Sequence, residues 1–139
     1  MFFVYLSRFL LLTYPVIESL AILLNPKNFQ RMLISGYSNL GFVLHTKGLE
    51  HLIISPSFVV LNSFYFVLGF GIILLGTSCL GVIKTKFLIL NALLLFLGTF
   101  IVHNPWLHRK TVEIESHTHM ALLNLTIISG LLLAATKAN

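Results

Sequence analysis

Pro56-Ser57-Phe58-Val59-Val60-Leu61-Asn62-Ser63-Phe64-Tyr65-Phe66-Val67-Leu68-Gly69-Phe70-Gly71-Ile72-Ile73-Leu74-Leu75-Gly76-Thr77 is the stretch that decides the fold. It carries no charged side chain. As a helix it rises about 33 Å, enough to cross a hydrocarbon core of about 30 Å. Pro56 suits a first helical turn, where its missing N–H is no loss. Gly71 and its neighbours Gly69 and Gly76 remove side chains and permit close helix approach.

Three more apolar runs lie to either side: residues 2–24, 86–103 and 117–135. Asn25-Pro26 ends the run 2–24 and Asn104-Pro105 the run 86–103, because proline restricts the residue before it. Tyr14-Pro15 lies inside the first run and marks a potential kink. Residues 78–85 read as a short turn holding Gly81 and Lys84. Ser116 reads as the cap of the last helix. The expected fold is all-α, one domain over residues 1–139: a four-transmembrane-helix bundle. Residues 26–55 would form an amphipathic or partly re-entrant segment between helices one and two. Phe29, Met32, Leu33, Gly36 and Tyr37 recur there at helical spacing, as on a helix lying at a membrane surface.

Composition supports the membrane reading. Of 139 residues, 57% are hydrophobic and 9% charged, and mean hydropathy is +0.94. Soluble domains carry about 25% charged residues. Four spans leave no length for a cofactor-binding domain outside the bilayer. A single cysteine, Cys79, excludes an intramolecular disulfide and any Cys-x-x-Cys pair. The basic residues are scattered, with Arg8, Lys84, Lys86 and Lys137 toward one side and Lys27, Arg31, Lys47, Arg109 and Lys110 toward the other. They form no nucleic-acid patch. Residues 1–24 lack a small-x-small cleavage site and read as a retained helix.

Glu18 is the one acidic side chain well inside a span. A carboxylate in hydrocarbon is costly, so it should face the bundle interior, a partner or a water-filled cavity. Tyr14, one turn earlier, shares its face with Leu11 and Ile22. Asn62, Asn91 and Asn124 fall one per later span, and interhelical hydrogen bonding is their simplest role. Ala121, Asn124, Ile128 and Leu131 trace a packing stripe on the last helix.

His103, Trp106, His108, Glu113, Glu115, His117 and His119 gather near the connection between the last two spans. Imidazole and carboxylate suit transition metals. On a regular helix, however, the Glu113–His117 and Glu115–His119 faces lie about 200° apart. Neither Glu-x-x-His nor His-Glu-x-x-His occurs. The sequence therefore assigns no catalytic, cofactor or metal residue. It marks Glu18, this rim and Asn124 as candidate functional polar positions.

His103-Asn104-Pro105-Trp106, a charged linker, and Met120-Ala121-Leu122-Leu123-Asn124-Leu125-Thr126-Ile127-Ile128-Ser129-Gly130-Leu131-Leu132-Leu133 together carry a family resemblance. In this order and spacing they resemble the DoxX superfamily of small four-helix membrane proteins, which includes the surfeit-type cargo receptors. The likeness centres on residues 103–135. A glycine-containing element that closes the family's first helix is not matched here. The resemblance implies either thiol- or quinone-linked redox complexes or endoplasmic-reticulum cargo export.

The leading expectation is a non-enzymatic accessory or structural subunit of a larger membrane complex, respiratory in character. Its partners would be membrane lipid and other membrane subunits, with no nucleic acid. The alternatives are a redox-linked subunit binding quinone or a transition metal near the last connection, and a small transporter or cargo receptor using Glu18. The expected location is a mitochondrial inner membrane or the endoplasmic reticulum.

Overall fold

The computed structural model describes residues 1–104 and 111–136, without the side chains of Thr111 and Glu113. The elements are α1 (Phe2–Leu24), α2 (Pro26–Thr46), a 3-10 turn (Glu50–Leu52), α3 (Pro56–Gly81), α4 (Thr85–Val102) and α5 (Thr111–Thr136). Among the described residues there is no strand. Four helices are long and apolar enough to cross a membrane: α1, α3, α4 and α5. The chain is a multi-pass membrane protein with an all-α bundle.

Each span is apolar all round, yet each buries a definite stripe. On α1 it is Arg8, Leu12, Pro15, Ser19 and Ile22. On α3 it runs Val59, Ser63, Val67, Gly71, Leu74, Ser78 and Gly81. On α4 it is Leu88, Asn91, Ala92, Leu95 and Thr99. Many of these residues are small. Lipid tails are as apolar as leucine, so burial alone cannot choose the inward face; close packing and interhelical hydrogen bonds choose it. The outward faces keep the large apolar side chains, such as Leu61 at 82% and Tyr65 at 73% exposure, for lipid to cover. The expected α5 stripe of Ala121, Asn124, Ile128 and Leu131 is buried.

Asn91 ties α4 to α3. Its Nδ2 donates toward the Leu74 carbonyl, Thr77 Oγ1 and Ser78 Oγ at 3.3, 3.0 and 2.8 Å. Asn62 does not cross between helices; its amide donates to the Phe58 carbonyl in its own helix.

Two boundaries and one set of glycine contacts differ from the sequence expectation. Residues 78–81 continue α3 rather than turning, because Ser78 Oγ bonds the Leu74 carbonyl and Gly81 lets Leu12 and Leu88 approach. α5 begins at Thr111, which puts Ser116 inside the helix and not at its cap. Of the three glycines in the opening stretch, only Gly71 meets a neighbour, Ile22 and Leu23; Gly69 and Gly76 face open space.

The segment after α1 is one continuous helix. Pro26 opens α2 directly after Asn25, and the chain does not fold back along α1. Leu12 meets Gly81, Leu23 meets Gly71, Gln30 bonds Ser63 at 2.8 Å, and Gly41 meets Pro56. α1 and then α2 thus run antiparallel to α3, α1 along its C-terminal half and α2 along its N-terminal half. The buried face of α2, Gly36 and Leu40 with half-buried Phe29, Leu33 and Tyr37, packs into the bundle rather than onto a membrane surface. Gly36 permits this: a Cβ there would lie 2.1 Å from the Ile101 carbonyl oxygen of α4.

Candidate functional site: a cavity at the α1–α2 break

A cavity of about 320 Å³ opens beside the junction of α1 and α2 at Asn25-Pro26. α1 contributes Glu18 and Ile22, and α2 contributes Phe29, Leu33 and Tyr37. Phe66, Val67 and Phe70 come from α3, Leu95, Gly98 and Thr99 from α4, and Asn124 from α5. His103, just past α4, closes the set. The lining is mostly aliphatic and aromatic, with a few converging polar groups. That is the usual character of a small-molecule site.

Asn124 is held by a hydrogen-bonded chain across three helices. Tyr14 Oη donates to Asn124 Oδ1 at 2.6 Å, and Asn124 Nδ2 donates to Thr99 Oγ1 at 2.8 Å. Thr99 Oγ1 in turn donates to the Leu95 carbonyl at 2.7 Å. The amide still has a second N–H and a second carbonyl lone pair. The chain fixes which way that amide faces.

Glu18 lies one helical turn beyond Tyr14 and is half-buried, with its side chain on the cavity. Among the described residues no side chain hydrogen-bonds to it. Tyr37 donates its hydroxyl to the Ile54 carbonyl at 2.8 Å and so ties α2 to the segment before α3.

His103 is buried, and its Nδ1 lies 3.3 Å from Nδ1 of His117, with ring centroids 5.5 Å apart. One ring must present N–H and the other a lone pair for this contact to be a hydrogen bond. The pair joins the end of α4 to the start of α5.

The structure therefore brings Glu18, His103 and Asn124 to one cavity and sets His117 against His103. Glu115 and His119 are exposed on α5 and do not line it. Trp106, His108 and the side chain of Glu113 lie outside the described residues. Among the described residues no three His, Cys, Asp or Glu side chains gather as a metal site would require. Sequence reasoning missed Thr99 and Tyr37 as lining residues. Thr99 carried a signal, since it stands one turn before His103 in the apolar C-terminal half of α4.

Comparisons with family models, with curated proteins and with solved structures found no match for this chain.

Proposed function

We propose that this chain is a non-enzymatic membrane subunit that holds an amphipathic ring compound of the quinone class between its helices. The cavity carries the proposal: it combines an apolar, aromatic-lined space with Glu18, Asn124 and His103 at its polar points. Phe29, Phe66 and Phe70 suit the flat faces of a ring. Asn124 has an N–H to offer a ring carbonyl. Glu18 supplies a group that accepts from a ring hydroxyl or, when protonated, donates to a ring carbonyl.

The resemblance to the DoxX superfamily supports the same reading, since quinone-linked complexes are one of its associations. The reading carries with it a quinone-bearing membrane, such as a mitochondrial inner membrane, and a larger respiratory assembly as the partner. Ligand exchange with that partner would pass through the bilayer-facing side of the cavity.

The test is extraction and quantification of quinones from the full chain purified in mild detergent. About one quinone per chain is expected. Leu33→Trp, which fills the cavity from α2, should empty it while the helical circular dichroism stays unchanged. Recovery of quinone at the level of bulk micelle partitioning, equal in both proteins, would rule the proposal out.

A further inference from the structure

At the opposite end of the bundle from His103, the α3–α4 turn meets the first turns of α1. Arg8 is almost wholly buried there, at 4% exposure, although its guanidinium carries five N–H donors. Its Nη2 donates to Thr85 Oγ1 at 2.9 Å, and its Nε is buried with no partner. No carboxylate among the described residues pairs with it. The chain's four acidic residues are Glu18, Glu50, Glu113 and Glu115. Glu18 lies about 15 Å further along the same helix, and the others belong to the far end. A guanidinium taken from water without a counter-charge is costly.

Thr85, the acceptor of the Arg8 hydrogen bond, also lines a shallow groove. Lys84, Thr85 and Lys86 form its polar rim, and Phe87, Leu90 and Ala135 form its apolar floor. Thr85 links the two: its Oγ1 accepts from Arg8, and its hydroxyl keeps one O–H to donate. Lys84 caps α4 without a side-chain hydrogen bond; the Phe87 N–H bonds the Lys84 carbonyl at 3.1 Å, and no side chain closes the Thr85 and Lys86 N–H groups before it. Both lysines are exposed and extend from the same turn. Below the rim, Ile89, Leu90 and Leu93 present exposed aliphatic surface along α4.

We infer that this groove binds the phosphate of an acidic phospholipid, with an acyl chain lying along the outer face of α4. Positive charge at the rim, a buried cation behind it, an open helix N-terminus and an apolar track below together match a headgroup joined to a tail. Free phosphate shares the headgroup chemistry but has no use for the apolar track. Arg8 acts from behind Thr85 as the fixed charge, and Lys84 and Lys86 make the outer contacts.

The test uses the full chain in detergent, with native mass spectrometry of retained lipid during graded delipidation. Phosphatidylglycerol and phosphatidylcholine of identical acyl chains compete, and inorganic phosphate is added in a separate arm. Wild type should retain phosphatidylglycerol preferentially, by about fivefold for each lysine engaged. Lys84→Gln with Lys86→Gln, both at exposed positions that leave packing untouched, should bring that preference close to unity. Arg8→Gln should lower the preference while leaving the lysines' share, and if it fails to fold, the lysine pair still decides. Equal retention of the two lipids by wild type would overturn the inference, as would a lysine-pair variant with undiminished preference. Displacement of the lipid by inorganic phosphate at equimolar concentration would overturn the lipid assignment.

Discussion

Gly36→Ala asks whether α2 is truly an inward-packed wall. The added Cβ would stand 2.1 Å from the Ile101 carbonyl oxygen and 3.3 Å from Val102 Cα. Carbon against a carbonyl oxygen needs about 3.3 Å, so α2 must withdraw from α4 by about 1.2 Å. No rotamer change relieves this, because both opposing atoms belong to backbone. Overpacking of this kind costs about 1–3 kcal/mol, and replacing a mid-helix glycine by alanine returns about 0.5–1 kcal/mol. The expected net loss is about 1–2 kcal/mol in detergent-titrated unfolding followed by circular dichroism. Two controls calibrate it. Gly69→Ala, where a Cβ meets nothing within 4 Å, should be neutral or slightly stabilising. Gly130→Ala meets only the flexible end of Leu11, at 2.8 Å, and should cost less than Gly36→Ala. If Gly36→Ala unfolds at the same midpoint as Gly69→Ala, the close α2–α4 crossing is wrong.

Other substitutions test the polar links. Asn91→Ala removes the amide that joins α4 to Leu74, Thr77 and Ser78, and should cost about 1–2 kcal/mol in the same assay. Thr99→Val keeps the side-chain shape but takes away Asn124's acceptor; about 1 kcal/mol of stability should go, and with it the bound quinone, measured by extraction. His45→Ala breaks only the surface pair with Glu50, whose side chains are 75% and 58% exposed. Its unfolding midpoint should match wild type at low and high salt alike.

The spans were legible because an apolar run as long as a bilayer is thick can be covered by little except lipid. The placement of α2 was not. Phe29, Leu33, Gly36, Tyr37 and Leu40 form one helical stripe, and a stripe says that a face is covered without saying by what. A lipid surface and a groove between α3 and α4 demand the same periodicity. Gly36 alone separates them, through a contact invisible until the fold is known. Local chemistry misled at two helix ends. Ser78 and Gly81 look like turn residues, yet in a bilayer small residues mark helix crossings. Ser116 looks like a cap, but α5 runs on before it to Thr111.

Candidate residues fared according to how unusual they are in hydrocarbon. Glu18 and Asn124 stood out as polar groups within spans, and both reach the cavity. Arg8 entered only as one of the scattered basic residues, because its buried bond to Thr85 is a long-range fact. Glu115 and His119 share the chemistry of His117 but sit on faces of α5 turned away from His103, as the helical angle between neighbouring positions requires.

The central claim is that a quinone-class ring sits between the helices rather than in the surrounding lipid. Photolabelling of native membranes with a photoactivatable quinone analogue, followed by peptide mapping, tests it most directly. Adducts are expected on Leu33, Tyr37 and Phe66, which line the cavity. Adducts confined to the lipid-facing Leu61, Tyr65 and Ile72, which are 82%, 73% and 61% exposed, would contradict it.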